Sequence, residues 1–108
     1  MFHVPDGASL IIAGAGGHGR VCADVARRAG WSVTGFCDPA FAGVPEILGV
    51  PLLAGSEAGL FANWPQDTAL FIAIGDNTRR IALANDARRK DIPLAILIDP
   101  CAVVSPSA

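Results

Sequence analysis

A glycine-rich stretch directly after an apolar segment limits what this chain can fold into more than any other feature. Residues 10–13 read Leu-Ile-Ile-Ala, which suits a strand covered on both faces of a parallel sheet. Gly14, Gly16 and Gly19 then match the pattern G-x-G-x-x-G at the start of a helical stretch. In this pattern the first glycine permits a tight turn, the second lets a phosphate approach the backbone, and the third lets helix and strand pack closely. The stretch therefore predicts a strand, an anion-binding loop, and a helix whose first N–H groups face the anion.

Composition excludes several classes of protein. With 108 residues, 52% of them hydrophobic and only 17% charged, the chain is long enough for one modest core, and its mean hydropathy of +0.46 favours a sheet buried on both faces. The formal net charge of -2 predicts no nucleic-acid partner. No apolar run approaches the roughly 20 residues that span a bilayer, and the first residues lack the order of a signal peptide, so we expect no membrane partner and a cytoplasmic location.

The three cysteines are too far apart for a local zinc knuckle or a C-x-x-C redox pair. They are Cys22, Cys37 and Cys101. We expect reduced thiols that fill the core or its margin, and no metal site.

Apolar strands alternate with amphipathic helices along the chain, which predicts an α/β fold: a Rossmann-like open parallel sheet flanked by helices. The predicted strands are 8–13, 31–37, 69–74 and 93–98, with at most a short one at 50–53 in a loop rich in Gly and Pro. The predicted helices are 20–29, 57–63 with Ser56 as its cap, and one that begins near 77 and ends near Lys90. The residues expected to face the core from the first and last helices are Val21, Cys22, Val25, Ala26, Ala29, Ile81, Leu83, Ala84 and Ala87.

The expected strand order places a ligand site at one edge of the sheet. If strand 8–13 lies beside strand 69–74, the connections leave these strands in opposite directions. The glycine loop (residues 14–19) and the facing loop (residues 75–78) then flank one crevice at the carboxyl ends of the strands. We predict that the ligand binds there.

Individual residues of this crevice allow more than one role. Asp38 follows the glycine pattern by about 20 residues at the end of a strand, so it either accepts hydrogen bonds from ribose hydroxyls or a base N–H, or simply forms the turn before Pro39. His18 has no carboxylate or nucleophile near it in sequence, which favours contact with a diphosphate over proton transfer. Asp76 or Asn77 is expected to cap a helix while its loop lines the pocket, and Arg80 is either part of a solvated face or a contact to an anion.

Four blocks of sequence in this order resemble the amino-terminal domain of bacterial sugar O- and N-acetyltransferases, a family that includes sialic acid O-acetyltransferase-like enzymes. The blocks are Gly14-Ala-Gly-Gly-His-Gly-Arg-Val, Gly35-Phe-Cys-Asp, Phe71-Ile-Ala-Ile-Gly-Asp-Asn-Thr-Arg-Arg and Leu97-Ile-Asp-Pro-Cys-Ala-Val-Val-Ser-Pro-Ser-Ala. The resemblance implies that residues 1–100 bind a UDP-, GDP- or dTDP-linked amino sugar. It also implies that residues 101–108 begin a left-handed β-helix of hexapeptide repeats, which in this family binds acetyl-CoA, forms a homotrimer and carries the catalytic histidine.

The same resemblance implies the substrate-binding residues. The glycine loop and Asp38 contact the nucleotide-sugar, and Ile74, Gly75 and Asn77 face them. Cys37, Asp76 and Arg80 complete the predicted site because they lie at the strand end and on the facing loop and helix. The predicted substrate-binding set is Gly14, Ala15, Gly16, Gly17, His18, Gly19, Cys37, Asp38, Ile74, Gly75, Asp76, Asn77 and Arg80, with no catalytic residue and no cofactor in this domain.

The chain departs from the family pattern at two positions. Pro39 stands where many relatives have a second aspartate, and Asp99 where many have histidine. Two other functions share the glycine pattern. One is an NAD(P)-binding module of an oxidoreductase, with Asp38 on the adenosine ribose, and the other is a regulatory or assembly domain in which the glycines serve only packing.

Overall fold

A computed structural model describes residues 7–53 and 57–95 and shows an α/β fold. Three strands, β1, β2 and β5, form a sheet flanked by helices α1, α2 and α3, and a short hairpin, β3–β4, follows β2. The bounds are β1 Ser9–Ala13, α1 Gly17–Arg28, β2 Ser32–Cys37, β3 Glu46–Ile47, β4 Val50–Pro51, α2 Glu57–Ala62, β5 Thr68–Ile72 and α3 Asn77–Arg89, with a 3-10 turn at Pro39–Phe41.

The sheet has the predicted topology. Its order is β2-β1-β5, and both pairings with β1 are parallel. Leu10, Ile11 and Ile12 of β1 are almost fully buried because the strand is central and covered on both faces. The carboxyl ends of β1 and β5 therefore lie side by side, as the position of the predicted crevice requires.

Two apolar clusters cover the two faces of the sheet. Leu10 and Ile12 pack in one cluster with Phe36 of β2 and the buried side of α1. Ile11 and Leu70 pack in the other. In that second cluster the buried residues contributed by the helices and the following turns are Phe61, Ala87 and Ile92. This two-sided burial accounts for the uninterrupted apolar strands in the sequence.

One predicted core contact of α1 is wrong. The side of α1 that faces the sheet is formed by Gly19, Cys22, Ala23 and Ala26, spaced i, i+3, i+4 and i+7, while Val21 is 61% exposed. Small residues are selected on this face because the helix starts so close to β1. The helix also begins three residues before the predicted Arg20, since glycines 17 and 19 are part of its first turn.

Helix α3 buries less of its surface than predicted. Ala87 is fully buried, Leu83 and Ala84 are half-buried, and Ile81 is 56% exposed. Ile81 contributes with Leu94 and Ala95 to the lining of a concavity of about 310 Å³ beside β5. The apolar residues of α3 are therefore divided between the core and this concavity.

The segment after β2 is more ordered than a loop. The 3-10 turn is followed by the β3–β4 hairpin, whose turn places Leu48 and Gly49 at positive φ. Leu52 then forms a parallel bridge with Phe36, and Leu53 N donates to Phe36 O at 2.7 Å. This segment protects the outer edge of β2, where a bare row of backbone groups would otherwise face solvent.

The predicted last strand is seen only at its start. Leu94 bridges Leu70 in parallel, and Ala95 N donates to Leu70 O at 2.8 Å. Residues 96–98, the cap at Ser56, Cys101 and the expected β-helix segment 101–108 lie outside the described residues. Within 7–53 and 57–95, no helix combines the length and apolar content needed to cross a bilayer.

Candidate functional site

Gly14 makes the turn from β1 into the glycine loop. Its φ is +110°, a value that side chains disfavour, and a Cβ there would lie 2.5 Å from the carbonyl oxygen of Ala73. Its N–H donates to the carbonyl of Cys37 at 2.9 Å. The turn is therefore held between the ends of β2 and β5.

Gly19 has a packing role. A Cβ at this position would overlap the carbonyl oxygen of Gly14 and lie 2.7 Å from its carbonyl carbon. The close approach of α1 to the end of β1 thus requires glycine at this position.

Gly16 and Gly17 have a different environment. A Cβ at either position would have no atom of the described chain within 4 Å. The first hydrogen bond of α1 runs from Arg20 N to Gly16 O at 3.0 Å, so the N–H groups of Gly17, His18 and Gly19 have no acceptor within the helix. Open space thus adjoins backbone donors at a helix start, which is the arrangement that binds phosphate in glycine-loop proteins.

Asp38 links the glycine loop to the turn after β2. Its Oδ2 accepts from Ala15 N at 2.9 Å, and its Oδ1 accepts from Ala40 N at 3.0 Å, which caps the 3-10 turn. The structure thus brings Asp38 to the glycine loop, and the turn-forming role is confirmed. Each carboxylate oxygen retains a second acceptor position for a ligand hydroxyl.

The facing loop follows β5 at the same edge of the sheet. Ala73 N donates to Ala13 O at 2.7 Å, which places the start of this loop beside the glycine loop. Asp76 caps α3 by accepting from the N–H groups of Thr78 and Arg79 at 2.9 and 3.3 Å. A Cβ at Gly75 would have no described atom within 4 Å, and Ile74 is half-buried.

Asn77 and Arg80 bond to each other. Arg80 Nη2 donates to Asn77 Oδ1, and Arg80 also lines the concavity beside β5. That concavity is bordered by α3 and Leu94, so Arg80 is shared between the facing loop and the outer edge of β5. Arg79 instead forms an ion pair with Glu57 of α2.

Both described cysteines are buried thiols. Burial raises the pKa of Cys37 to about 11, assisted by the nearby charges of Glu57 and Asp38 and opposed by Arg79. Burial also raises the pKa of the Cys22 thiol. Neither sulfur is a thiolate at neutral pH, so neither is suited to act as a nucleophile.

We expect these thiols to resist labelling. In a Cys101→Ser variant, a thiolate-specific reagent at pH 8 should label native protein at least about tenfold more slowly than urea-unfolded protein, because burial suppresses both access and ionisation. Mass spectrometry of the labelled peptides assigns the sites. Labelling of Cys37 at the same rate in both states would contradict the buried position.

His18 is exposed at the start of α1. Its ring approaches Cys22 Sγ, with Nε2 at 3.6 Å and Nδ1 at 4.0 Å, one helical turn further along. No carboxylate among the described residues bonds to the ring, so nothing orients it as a general base in the manner of a catalytic triad. In the described ranges, no three His, Cys, Asp or Glu side chains come together as a metal site.

Sequence reasoning missed two features next to Asp38. Arg20 extends over the ring of Phe41, with Cζ 5.8 Å from the ring centroid, and its Nε donates to Ala15 O at 3.2 Å. A concavity of about 300 Å³ lies beside Asp38 and is otherwise lined by the segment after β2. Its lining residues are Asp38, Ala42, Gly43, Val44, Pro45, Leu52 and Leu53. The position of Arg20 directly after the glycine pattern was the available signal.

Known proteins share this architecture. Residues 9–87 match the family model described as the PglD N-terminal domain. A search of curated proteins gave no match.

Solved structures give further similarity. PerB from Caulobacter crescentus, in complex with CoA and GDP-perosamine, is 38% identical over 92% of this chain, with a TM-score of 0.76. The acetyltransferase domain of PglB from Neisseria gonorrhoeae, in complex with acetyl coenzyme A, is 31% identical over 94%, with a TM-score of 0.77. A mutant of perosamine N-acetyltransferase from C. crescentus, with the same two ligands as PerB, is 37% identical over 92%, with a TM-score of 0.75. The chain spans only 46–48% of the length of these proteins.

Proposed function

The chain belongs to the PglD N-terminal domain family, and from this we propose that it is the nucleotide-sugar-binding part of an acetyl-CoA-dependent N-acetyltransferase. Its substrate is a nucleotide-linked amino sugar used in surface polysaccharide or glycan synthesis. The single observation that carries the proposal is the open start of α1, where three N–H groups with no acceptor among the described residues adjoin the space around Gly16 and Gly17. The similarity to PerB, whose structure holds CoA and GDP-perosamine, supports a nucleotide-sugar as the occupant.

The contribution of this chain to the reaction is binding and orientation. In the reaction the sugar amine attacks the acetyl thioester, a nitrogen–carbon bond forms, the carbon–sulfur bond breaks, and the nitrogen loses a proton as CoA leaves as its thiol. We place the base for that proton outside this chain, because the described residues hold no oriented base beside the crevice. Fixing the substrate by its diphosphate lowers the entropic part of the barrier. Acetyl-CoA, a homotrimeric assembly and a cytoplasmic location are parts of the same proposal.

Within the crevice, each predicted residue has a role in this proposal. The N–H groups at the start of α1 bind the diphosphate, and Asp38 accepts from the ribose or base while it holds Ala15 in place. The side chains of Ala15 and Cys37 are buried, so their contribution is through the backbone. The remaining members of the predicted set line the facing side: Ile74, Gly75, Asp76, Asn77 and Arg80.

Calorimetric titration of the chain with UDP-, GDP- and dTDP-linked amino sugars tests the proposal. We expect one nucleotide class to bind, and a Gly16→Val variant to bind it at least about tenfold more weakly, because the new side chain occupies the ligand space. Gly16 has an extended backbone that valine can adopt, and because valine is a poorer N-cap than glycine, we expect the variant to lose only about 1 kcal/mol of stability.

The control is Ala82→Val, which places the same valine side chain at an exposed position of α3. If Gly16→Val lowers stability but leaves the affinity unchanged, the glycines serve packing alone. Binding of NADH in a fluorescence titration, with no binding of any nucleotide-sugar, would instead favour the oxidoreductase module.

A further inference from the structure

Arg20 is held beside the glycine loop by two neutral groups. Its Nε donates to the carbonyl oxygen of Ala15 at 3.2 Å, and its guanidinium lies over the ring of Phe41, with Cζ 5.8 Å from the ring centroid. The side chain therefore runs back from the first turn of α1 toward the loop and across to the turn after β2. Because both anchors are uncharged, they position the guanidinium without neutralising it.

The peptide groups of Ala15 are bound from two sides. Asp38 Oδ2 accepts from Ala15 N at 2.9 Å, while Arg20 Nε donates to Ala15 O. Arg20 and Asp38 thus approach the same residue of the loop, yet the structure records no ion pair between them within the described residues. The carboxylate is engaged by backbone N–H groups, and the positive charge of Arg20 stays available.

The other arginines of the described ranges are placed differently. Three have carboxylate partners: Arg79 pairs with Glu57, Arg28 with Asp24 at 3.1 Å, and Arg89 with Asp86 at 3.5 Å. The other three donate to neutral oxygens that do not belong to the glycine loop. Arg27 donates to Leu48 O, Arg80 to Asn77 Oδ1, and Arg88 to Asn85 Oδ1. Among the described arginines, only Arg20 combines an uncompensated charge with a bond to the glycine loop.

The chemistry of this position points to a doubly charged phosphate ligand. A guanidinium has five N–H donors in a planar fork that fits phosphate oxygens, and Ala15 uses only the one on Nε. The N–H groups of Gly17, His18 and Gly19, which have no acceptor in the described part of the chain, lie on the same first turn of α1. Asp38 places a negative charge near the loop, which would oppose a diphosphate unless a cation also contributed.

We propose that Arg20 binds the diphosphate of the nucleotide-linked sugar through its two terminal nitrogens, and so supplies a cationic contact on the glycine-loop side of this crevice. This inference rests on the proposed function. Its consequence is that affinity depends on the diphosphate and on ionic strength, and not on the backbone donors alone.

An Arg20→Gln variant tests the proposal. Glutamine retains a donor but carries no charge, and the matched control Arg88→Gln removes the same charge some 16 Å along α3 from its start, by helical rise. We expect Arg20→Gln to weaken binding of GDP, UDP or dTDP, whichever the wild-type chain binds, by about tenfold, and binding of the corresponding nucleoside by less than about twofold. Raising NaCl from 50 to 500 mM should weaken diphosphate binding more in the wild type than in this variant.

The outcomes separate the two proposals. If the wild-type chain binds none of the three nucleoside diphosphates or their sugars, the proposed function fails. If it binds one, and Arg20→Gln matches both the wild type and Arg88→Gln in affinity and salt dependence, the role of Arg20 is refuted. Equal losses for the diphosphate and the nucleoside would also refute it, because they would show that Arg20 only shapes the loop. The melting temperature of the unliganded variant, expected to lie within about 2 °C of wild type, checks that the fold is retained.

Discussion

Replacing Gly19 by alanine is expected to destabilise the domain more than any other single methyl addition considered. The new Cβ would overlap the carbonyl oxygen of Gly14, and this oxygen belongs to backbone that has little freedom to move. Gly14 is fixed by its positive φ and by its hydrogen bond to Cys37 O at 2.9 Å, and the carbonyl oxygen of Ala73 leaves no room for a side chain on it. We expect a loss of at least about 3 kcal/mol, the upper part of the range for overpacking, because α1 must move away from β1 to relieve the overlap.

Gly17→Ala is the matched control for this experiment. Gly17 lies two residues earlier in the same turn, and its Cβ would meet no described atom within 4 Å. Alanine there should be neutral or stabilise by up to about 1 kcal/mol, since it reduces the freedom of the unfolded chain. Urea unfolding of both variants measures the difference. If Gly19→Ala were as stable as Gly17→Ala, the close contact between α1 and β1 would be disproved.

The glycine pattern shows what spacing alone can predict. Its first and third glycines occupy positions where the backbone excludes a side chain, and its second adjoins open space. These three environments follow from the geometry of a strand, a turn and a helix, and they can therefore be predicted from the spacing of the glycines in the sequence. The same holds for the two-sided burial of the sheet, because the uninterrupted apolar runs of β1 and β5 require cover on both faces.

The orientation of the helices was less predictable. Val21 and Ile81 satisfy helical periodicity but are exposed, because the side of α1 that approaches β1 accepts only small residues and α3 covers only part of its face. The apolar character of a residue does not by itself predict whether another element will cover its side chain.

Side-chain contacts across the fold were the least predictable. Arg20 has its partners at Ala15 and Phe41, and the second of these is 21 positions away in a turn that the sequence presents only as a loop. The two hydrogen bonds of Asp38 likewise depend on how the glycine loop and the 3-10 turn come together. Such contacts require coordinates because no periodicity encodes them.

Asp38→Ala is expected to have the largest effect on ligand binding, and it reduces stability as well. The substitution removes the acceptor for Ala15 N in the glycine loop and for Ala40 N in the following turn. Hydrogen bonds from N–H groups to a charged acceptor contribute about 1.5–3 kcal/mol, and both donors can regain part of this from water, so we expect a loss of about 2 kcal/mol of unfolding free energy. Binding of the nucleotide-sugar should fall by at least about a hundredfold, because the loop loses its support and the ribose or base loses its acceptor.

Two comparison variants separate the contributions to this loss. Asp24→Ala removes an equal charge from an exposed pair with Arg28, and such pairs contribute at most about 0.5 kcal/mol, so both stability and affinity should stay close to wild type. Asp38→Asn retains one acceptor oxygen but presents an NH₂ group to the other backbone N–H, so both losses should be intermediate. Calorimetry for affinity and urea unfolding for stability give the two readouts. If Asp38→Ala lowered stability as expected but left the affinity for the nucleotide-sugar intact, Asp38 would be only a structural link between the loop and the turn, and the ligand would have to be bound by the start of α1 without it.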